Sequence, residues 1–247
     1  MSITCLHVSE TLSTNALMAE MLHTETLPSG FVIAADYQSA GRGQANNCWE
    51  TERCKNLTFS ILYFPKNMPA TQNFIIAQAA ALAVKMVLDK EVAASTDERF
   101  TVKWSNDVYF QEKKICGILI ENTLKLNTIQ YSIIGIGVNI NQTLFRSDAP
   151  NPVSLSQITG KNYDLNIILE KICEKIICFL ENDKNYYKIR ENYFNSLYRR
   201  NGFYPYQSSD GTYFNAQICA MENDGKMILE TEKGEKRGFY FKEVKFL

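Results

Sequence analysis

Histidine is nearly missing from this chain. His7 and His23 are the only two in 247 residues, which leaves little material for an imidazole base or a poly-histidine metal site. Neither sign of charge is in excess: 26 basic and 27 acidic side chains leave a net charge of −1. A non-specific nucleic-acid binder would therefore have to gather its cations on one face, and only Tyr198-Arg199-Arg200 forms a basic cluster, which reads more simply as the end of a helix. The seven cysteines include no pair at zinc-finger or thioredoxin spacing. Reduced thiols and a cytoplasmic setting are expected. No eighteen uncharged apolar residues run together, and Met1-Ser2-Ile3-Thr4-Cys5-Leu6-His7 lacks a basic region followed by an apolar one. Neither membrane spanning nor secretion is expected.

What is present is an ordinary globular composition, 45% hydrophobic and 21% charged, which excludes disorder of the whole chain and supplies a substantial core. Helical and strand patterns interleave. Ser13 or Thr14 can cap a helix through Leu17, Met18, Met21 and Leu22. Residues 31–35 read as a buried strand, and 56–64 as a second, ended by Pro65. A core-packed helix is expected over 71–90, capped by Thr71 or Asn73. Residues 101–104, 115–121 and 131–138 suit neighbouring strands of one sheet. Asp164 should cap an amphipathic helix bearing Leu165, Ile168, Leu169, Ile172, Ile176 and Phe179. A last helix is expected from Tyr186 to Arg200, with Tyr193, Phe194, Leu197 and Tyr198 in the core. From Phe203 onward, short strand-like pieces are broken by Ser209-Asp210-Gly211, Asn223-Asp224-Gly225 and Lys233-Gly234, which predict hairpins in a small all-β unit. About 45 residues is marginal for independent stability, so this tail should pack against the larger part.

Three segments carry chemistry. Gly41-Arg42-Gly43 lets backbone approach an anion closely while a forked cation is held between the glycines; alone it is equally a tight turn with a solvated arginine. Gln38 and Ser39 precede it, and Gln44, Ala45, Asn46, Asn47, Cys48 and Trp49 follow. The amides suit an uncharged polar head group. Trp49 suits an indole stacked on a base or, equally, a core residue. A hairpin-like return from Lys103-Trp104-Ser105-Asn106-Asp107 to Lys114-Ile115-Cys116-Gly117 would bring Asn106, Asp107 and Lys114 together. There Lys114 can act as a fixed cation, and Asp107 either as a magnesium ligand beside substrate phosphates or as a turn aspartate. Gly135-Ile136-Gly137-Val138-Asn139 places glycines in an apolar strand, where a ligand can lie against the sheet. It lacks the strand-turn-helix context of a dinucleotide fingerprint.

Ser13-Thr14-Asn15, Gln38 to Gly43, Lys103 to Asp107, Lys114 to Gly117 and Gly135 to Asn139 stand in the order and rough spacing of the biotin–protein ligases. The chain resembles that family over essentially its whole length, as a short form without an N-terminal DNA-binding domain, and no DNA partner is expected. The resemblance implies an α+β fold. Residues 1–200 would form a class II synthetase-like catalytic domain with a central mixed β-sheet flanked by helices, and 201–247 a small SH3-like β-barrel. It implies an ATP-dependent biotin–[acetyl-CoA-carboxylase] ligase that makes biotinyl-AMP, with Mg²⁺, and passes biotin to a lysine of a biotin carboxyl carrier protein domain of a carboxylase. A monomer or homodimer is expected.

Carried over by position, Ser13, Thr14, Asn15 and Gln38 would hold the biotin head group, and Gly41, Gly43, Gly117, Gly135 and Gly137 would border biotin. Arg42 and Lys114 would be the catalytic cations on the carboxylate and α-phosphate. Gln44, Trp49, Asn106 and Asn139 would face ATP or the adenylate, and Asp107 the metal. Two departures stand out. Gln44-Ala45-Asn46-Asn47 replaces a more basic, glycine-containing run, so closure over the phosphates falls to Arg42, and Ser105 replaces the family's proline. A lipoate or octanoate ligase or transferase of the same fold is the alternative enzyme. A non-catalytic biotin-binding module is the alternative outside catalysis.

Overall fold

The protein is described by a computed structural model covering residues 3–43, 48–147 and 149–247. Seven strands form the main sheet: β1 (Thr4–Val8), β2 (Phe31–Ala35), β3 (Leu57–Tyr63), β4 (Thr101–Lys103), β5 (Asp107–Phe110), β6 (Lys113–Lys125) and β7 (Thr128–Val138). Their spatial order is β1-β2-β3-β7-β6-β5-β4, with β1 parallel to β2 and the other neighbours antiparallel. The sheet is therefore mixed, as the α+β expectation required. Strands β1 and β5 add to the five strands read from the sequence for this part of the chain. Most of β1 is exposed and shows no clear apolar alternation, while β5 occupies what the sequence presents as the return between two strands.

Period-2 alternation sorts the sheet into two faces. Phe59, Ile61, Ile118, Ile134, Ile136 and Val138 point to one face, where α2 (Phe74–Val92) and α4 (Leu165–Leu180) cover them in the main core. The stretch Ala70–Val92 is long and apolar enough to cross a membrane, but 72% of its most apolar window is buried inside the fold. It is the central core helix. On the opposite face, Ile33, Leu62 and Ile133 meet Met18 of α1 (Thr14–Thr24) at one end of the sheet. The other end of that face carries Ser60, Gly135, Gly137 and Gly117 instead of large side chains, which leaves room above the strands.

Asp164 caps α4 as expected, its carboxylate accepting from the amides of Asn166 and Ile167. Ser13 and Asn73 occupy N-cap positions without side-chain capping bonds. A further short helix, α3 (Leu155–Thr159), starts with a reciprocal capping box between Ser154 and Gln157. The last helix, α5 (Tyr186–Asn195), ends before the expected Arg200. The chain leaves it to pair with β4: the Val102 amide donates to the Ser196 carbonyl and the Tyr198 amide to the Val102 carbonyl, both at 2.8 Å. Tyr193, Leu197 and Tyr198 are nevertheless buried.

The C-terminal strands are β8 (Tyr204–Ser208), β9 (Tyr213–Met221), β10 (Met227–Thr231), β11 (Lys236–Phe239) and β12 (Val244–Phe246), in the antiparallel order β11-β10-β9-β8-β12. The three expected turns join consecutive strands of this second sheet. Its buried residues Tyr206, Ile218, Met227 and Leu229 belong to the same apolar cluster as the main core. Polar ties cross as well: the Trp104 indole donates to the Gly225 carbonyl at 3.0 Å and Arg200 to the Ile218 carbonyl at 2.9 Å.

Candidate functional site

A cavity of about 540 Å³ lies on the glycine end of the main sheet and is walled on its far side by the C-terminal unit. Its floor is made by register. Gly117 on β6 is directly opposite Gly137 on β7, and Gly135 is opposite Leu119 on one side and Ser60 on the other. A Cβ on Gly135 would strike the Asn15 amide, one on Gly137 would strike the Trp49 indole, and one on Gly117 would come within 3.1 Å of Trp49 Cζ3. The glycines are what allow two flat side chains to lie on the strands.

At the end nearest α1 the lining is neutral and polar. The Thr14 amide and hydroxyl both donate to Gln38 Oε1, at 2.7 and 3.2 Å. Ser60 Oγ lies 2.7 Å from Thr14 Oγ1 and donates to Asn15 Oδ1 at 2.6 Å. Asn15 Nδ2 donates to a Glu121 carboxylate oxygen at 2.7 Å and to the Leu119 carbonyl at 3.3 Å. Thr14, Asn15 and Ser60 are all buried, so this is a preorganised network whose donors and acceptors are largely matched. Ser13 completes the lining at the start of α1.

The rest of the lining is rich in cations. Lys103, Lys114, Lys242 and Lys245 line the cavity with Asp107, the one carboxylate in the lining among the described residues, and Arg42 joins them from beside Glu121, near the Asn15 end. Lys114 Nζ pairs with Asp107 at 2.7 Å, which realises the expected return from β5 to β6. Lys103 Nζ sits 4.9 Å from the Tyr109 ring centre, 5.5 Å from Phe246 and 5.8 Å from Tyr198. Burial lowers the Lys103 pKa from its ordinary value; Asp107 opposes that shift, and Arg199 and Lys114 add to it. Burial also pushes the Tyr109 and Tyr198 phenols up to about 12, so both rings stay neutral around the ammonium group. Five cations line one cavity, with one carboxylate in the lining among the described residues and Glu121 beside Arg42, so the excess of positive charge favours an anionic ligand.

Arg42 and Lys114 thus face one cavity, each already beside a carboxylate. Arg42 Nη2 lies 3.2 and 3.3 Å from the two Glu121 oxygens. The glycine loop closes at its neck, where the Trp49 amide donates to the Gly41 carbonyl at 2.9 Å and Arg42 bridges to Cys48. Gly43 lines the cavity, whereas Gly41 supports this neck. Gln44, assigned above to ATP, lies outside the described residues, as do Asn46 and Asn47. Trp49 is a cavity wall, not a core residue; its ring is 6.0 Å from Lys114 Nζ, and its buried indole N–H has no partner among the described residues.

Asn106 lines the cavity, but its amide nitrogen is committed to the Ile118 carbonyl. Its side chain ties the end of the β4–β5 turn to β6. The Trp104–Ser105 peptide bond is cis. Asn139 departs from its sequence assignment. It is buried outside the cavity lining, with Nδ2 donating to the Val153 carbonyl at 3.2 Å, while its Oδ1 has no partner among the described residues. The β7 strand ends at Val138, and the turn toward α3 draws the next side chain inward.

Sequence reasoning passed over Ser60, Glu121, Lys242 and Lys245. Ser60 and Glu121 each sit in strands read as apolar, and only the pairing register puts them on the cavity face. Lys242 and Lys245 come from a distant sheet and carry no local motif. Among the described residues no three His, Cys, Asp or Glu side chains gather as a metal cluster. All seven cysteines are free, and burial raises the thiol pKa of Cys116, the neighbour of Gly117 on β6.

A model of the biotin/lipoate A/B protein ligase family matches residues 8–139. The bifunctional ligase/repressor BirA of Bacillus subtilis is 27% identical over 250 aligned positions, which cover 92% of this chain and 70% of the relative. Biotin–protein ligase 2 of Arabidopsis thaliana is 26% identical over 85% of this chain and 56% of its own length. Among solved structures, the biotin protein ligase of Aquifex aeolicus in complex with biotin and ATP superposes with a TM-score of 0.77 at 25% identity, covering 99% of both chains.

Proposed function

The chain belongs to the biotin/lipoate A/B protein ligase family, and on that premise we propose that it activates biotin with ATP and transfers the biotinyl group to a lysine of a carboxyl carrier domain. One observation carries this reading: a single cavity joins a neutral polar end, built on glycine strands, to a lining with five cations and, among the described residues, one carboxylate. The first suits the ureido head group of biotin; the second suits a triphosphate. The similar Aquifex aeolicus structure is a complex with biotin and ATP.

The chemistry follows from the problem the two anions pose. A carboxylate does not acylate an amine until its oxygen is made a leaving group. Here a biotin carboxylate oxygen attacks the α-phosphorus of ATP, the bond to the β-phosphate bridging oxygen breaks, and diphosphate departs with the electron pair. Arg42 and Lys114 offset the repulsion between the approaching anions. Orientation between the Thr14–Asn15–Gln38 end and the cations supplies much of the remaining acceleration. The carrier lysine nitrogen then attacks the acyl carbon, AMP leaves, and the nitrogen loses a proton. Trp49 and the loop neck screen the mixed anhydride from water in the interval. Asp107, the one carboxylate in the lining among the described residues, would hold a magnesium ion brought by the nucleotide, which would supply positive charge against the phosphates.

Biotin-dependent exchange of labelled diphosphate into ATP tests the first half, and biotin incorporation into an apo carrier domain tests the second. Both are expected with biotin and neither with lipoate. Exchange driven by lipoate would transfer the reading to the lipoate branch, and biotin binding without exchange would leave a ligand-binding module.

A further inference from the structure

Strand β6 alternates Gly117, Leu119 and Glu121 on its cavity face, so the same periodicity that supplies the glycine floor places a carboxylate at the rim. Two contacts meet there. Both Glu121 oxygens lie beside Arg42 Nη2, and one of them also accepts from Asn15 Nδ2. Asn15 is itself buried and fixed from its other end by Ser60. The carboxylate is therefore held by the polar network and in turn holds the guanidinium.

The contact is end-on. Among the described residues, the Arg42 guanidinium makes hydrogen bonds only through Nη2, which leaves Nε and Nη1 to meet an anion while Glu121 stays in place. The Arg42 and Glu121 side chains are 51% and 41% exposed, so the pair adds little stability. Its effect is on conformation: a long side chain with many rotamers is confined before the ligand arrives, and that ordering cost is removed from the binding step.

We propose that Glu121 is a positioning residue for Arg42, orienting the guanidinium toward the carboxylate and phosphate oxygens and linking it through Asn15 to the head-group end. The proposal rests on the ligase reading above. Glu121→Gln keeps an acceptor for Asn15 and removes the charge that holds the arginine. With the full chain, biotin affinity measured by calorimetry stays within about twofold. The KM for ATP in diphosphate exchange rises about tenfold, the order expected for one charged hydrogen bond. Arg42→Ala shows at least the same rise, and Glu121→Gln combined with Arg42→Ala is no worse than Arg42→Ala alone, because the two side chains act as one unit.

Losses that add in the double variant overturn the proposal, as does an unchanged ATP KM in Glu121→Gln or an equal weakening of biotin and ATP. A wild-type protein that catalyses no biotin-dependent exchange refutes the ligase reading itself and takes the proposal with it, an outcome distinct from an active enzyme with additive losses.

Discussion

At Gly137 the smallest change has the clearest consequence. A methyl group there would overlap the Trp49 indole, so Gly137→Ala must push the ring away from the strand. Forcing a group into a packed site costs about 1–3 kcal/mol, and biotin affinity in a titration is expected to fall about tenfold or more. Lys114→Ala acts differently. It removes a cation paired with Asp107 at the rim of the cavity and touches no core packing. The rate of diphosphate exchange should drop by about 10²–10³, the scale for loss of one electrostatic donor to a transition state, while biotin affinity changes only a few-fold. Residues of this kind were legible in the sequence because their type is unusual in its setting: glycine inside an apolar strand, lysine and aspartate at strand ends. Ser60 and Glu121 were not, since serine and glutamate in a strand are commonplace and their meaning depends on which neighbours the register supplies.

Elements with strong local signals formed where expected. Strand β2 matches its predicted bounds, and α4 starts at the Asp164 cap. Asp164→Ala should destabilise the protein by about 1 kcal/mol, which for a chain of this size lowers the melting temperature by about 2–4 °C in a calorimetric scan, with diphosphate exchange unaffected below the transition. The elements that sequence missed lack such signals. Strand β5 has four residues and owes its existence to flanking β4 and β6. Strand β1 is recruited by parallel pairing to β2. Helix α5 stops early because Ser196 and Tyr198 find better partners on Val102 than in another helical turn. In each case a tertiary hydrogen bond decides what local propensity leaves open.

The whole molecule makes the site from two sheets. The main sheet and α1 provide the neutral polar end, whose Ser13-Thr14-Asn15, Gln38 and glycine motifs stand in order along the chain. The C-terminal sheet provides Phe241, Lys242, Val244, Lys245 and Phe246, which no motif announced, since their proximity to Lys103 exists only after the two units pack. This packing also buries Lys103 among rings and lowers its pKa. A polyphosphate favours the charged ammonium, so nucleotide binding should raise that pKa and take up a proton in the alkaline range below the ordinary lysine value. The sign follows: ATP affinity falls as pH rises through the free-protein pKa of Lys103. ATP titrations across that range should show the slope, and Lys103→Arg, whose charge does not titrate there, should flatten it.

Trp49 and Trp104 are the only two tryptophans in the chain, and both stand in the wall of this one cavity. Trp49 lies on the glycine floor against Lys114, while Trp104 donates to the Gly225 carbonyl across the junction with the C-terminal sheet. The protein's tryptophan emission is therefore local to this cavity. Single Trp→Phe replacements would divide that spectrum into one optical channel for ligand arrival and another for the seam between the sheets, with no dye attached.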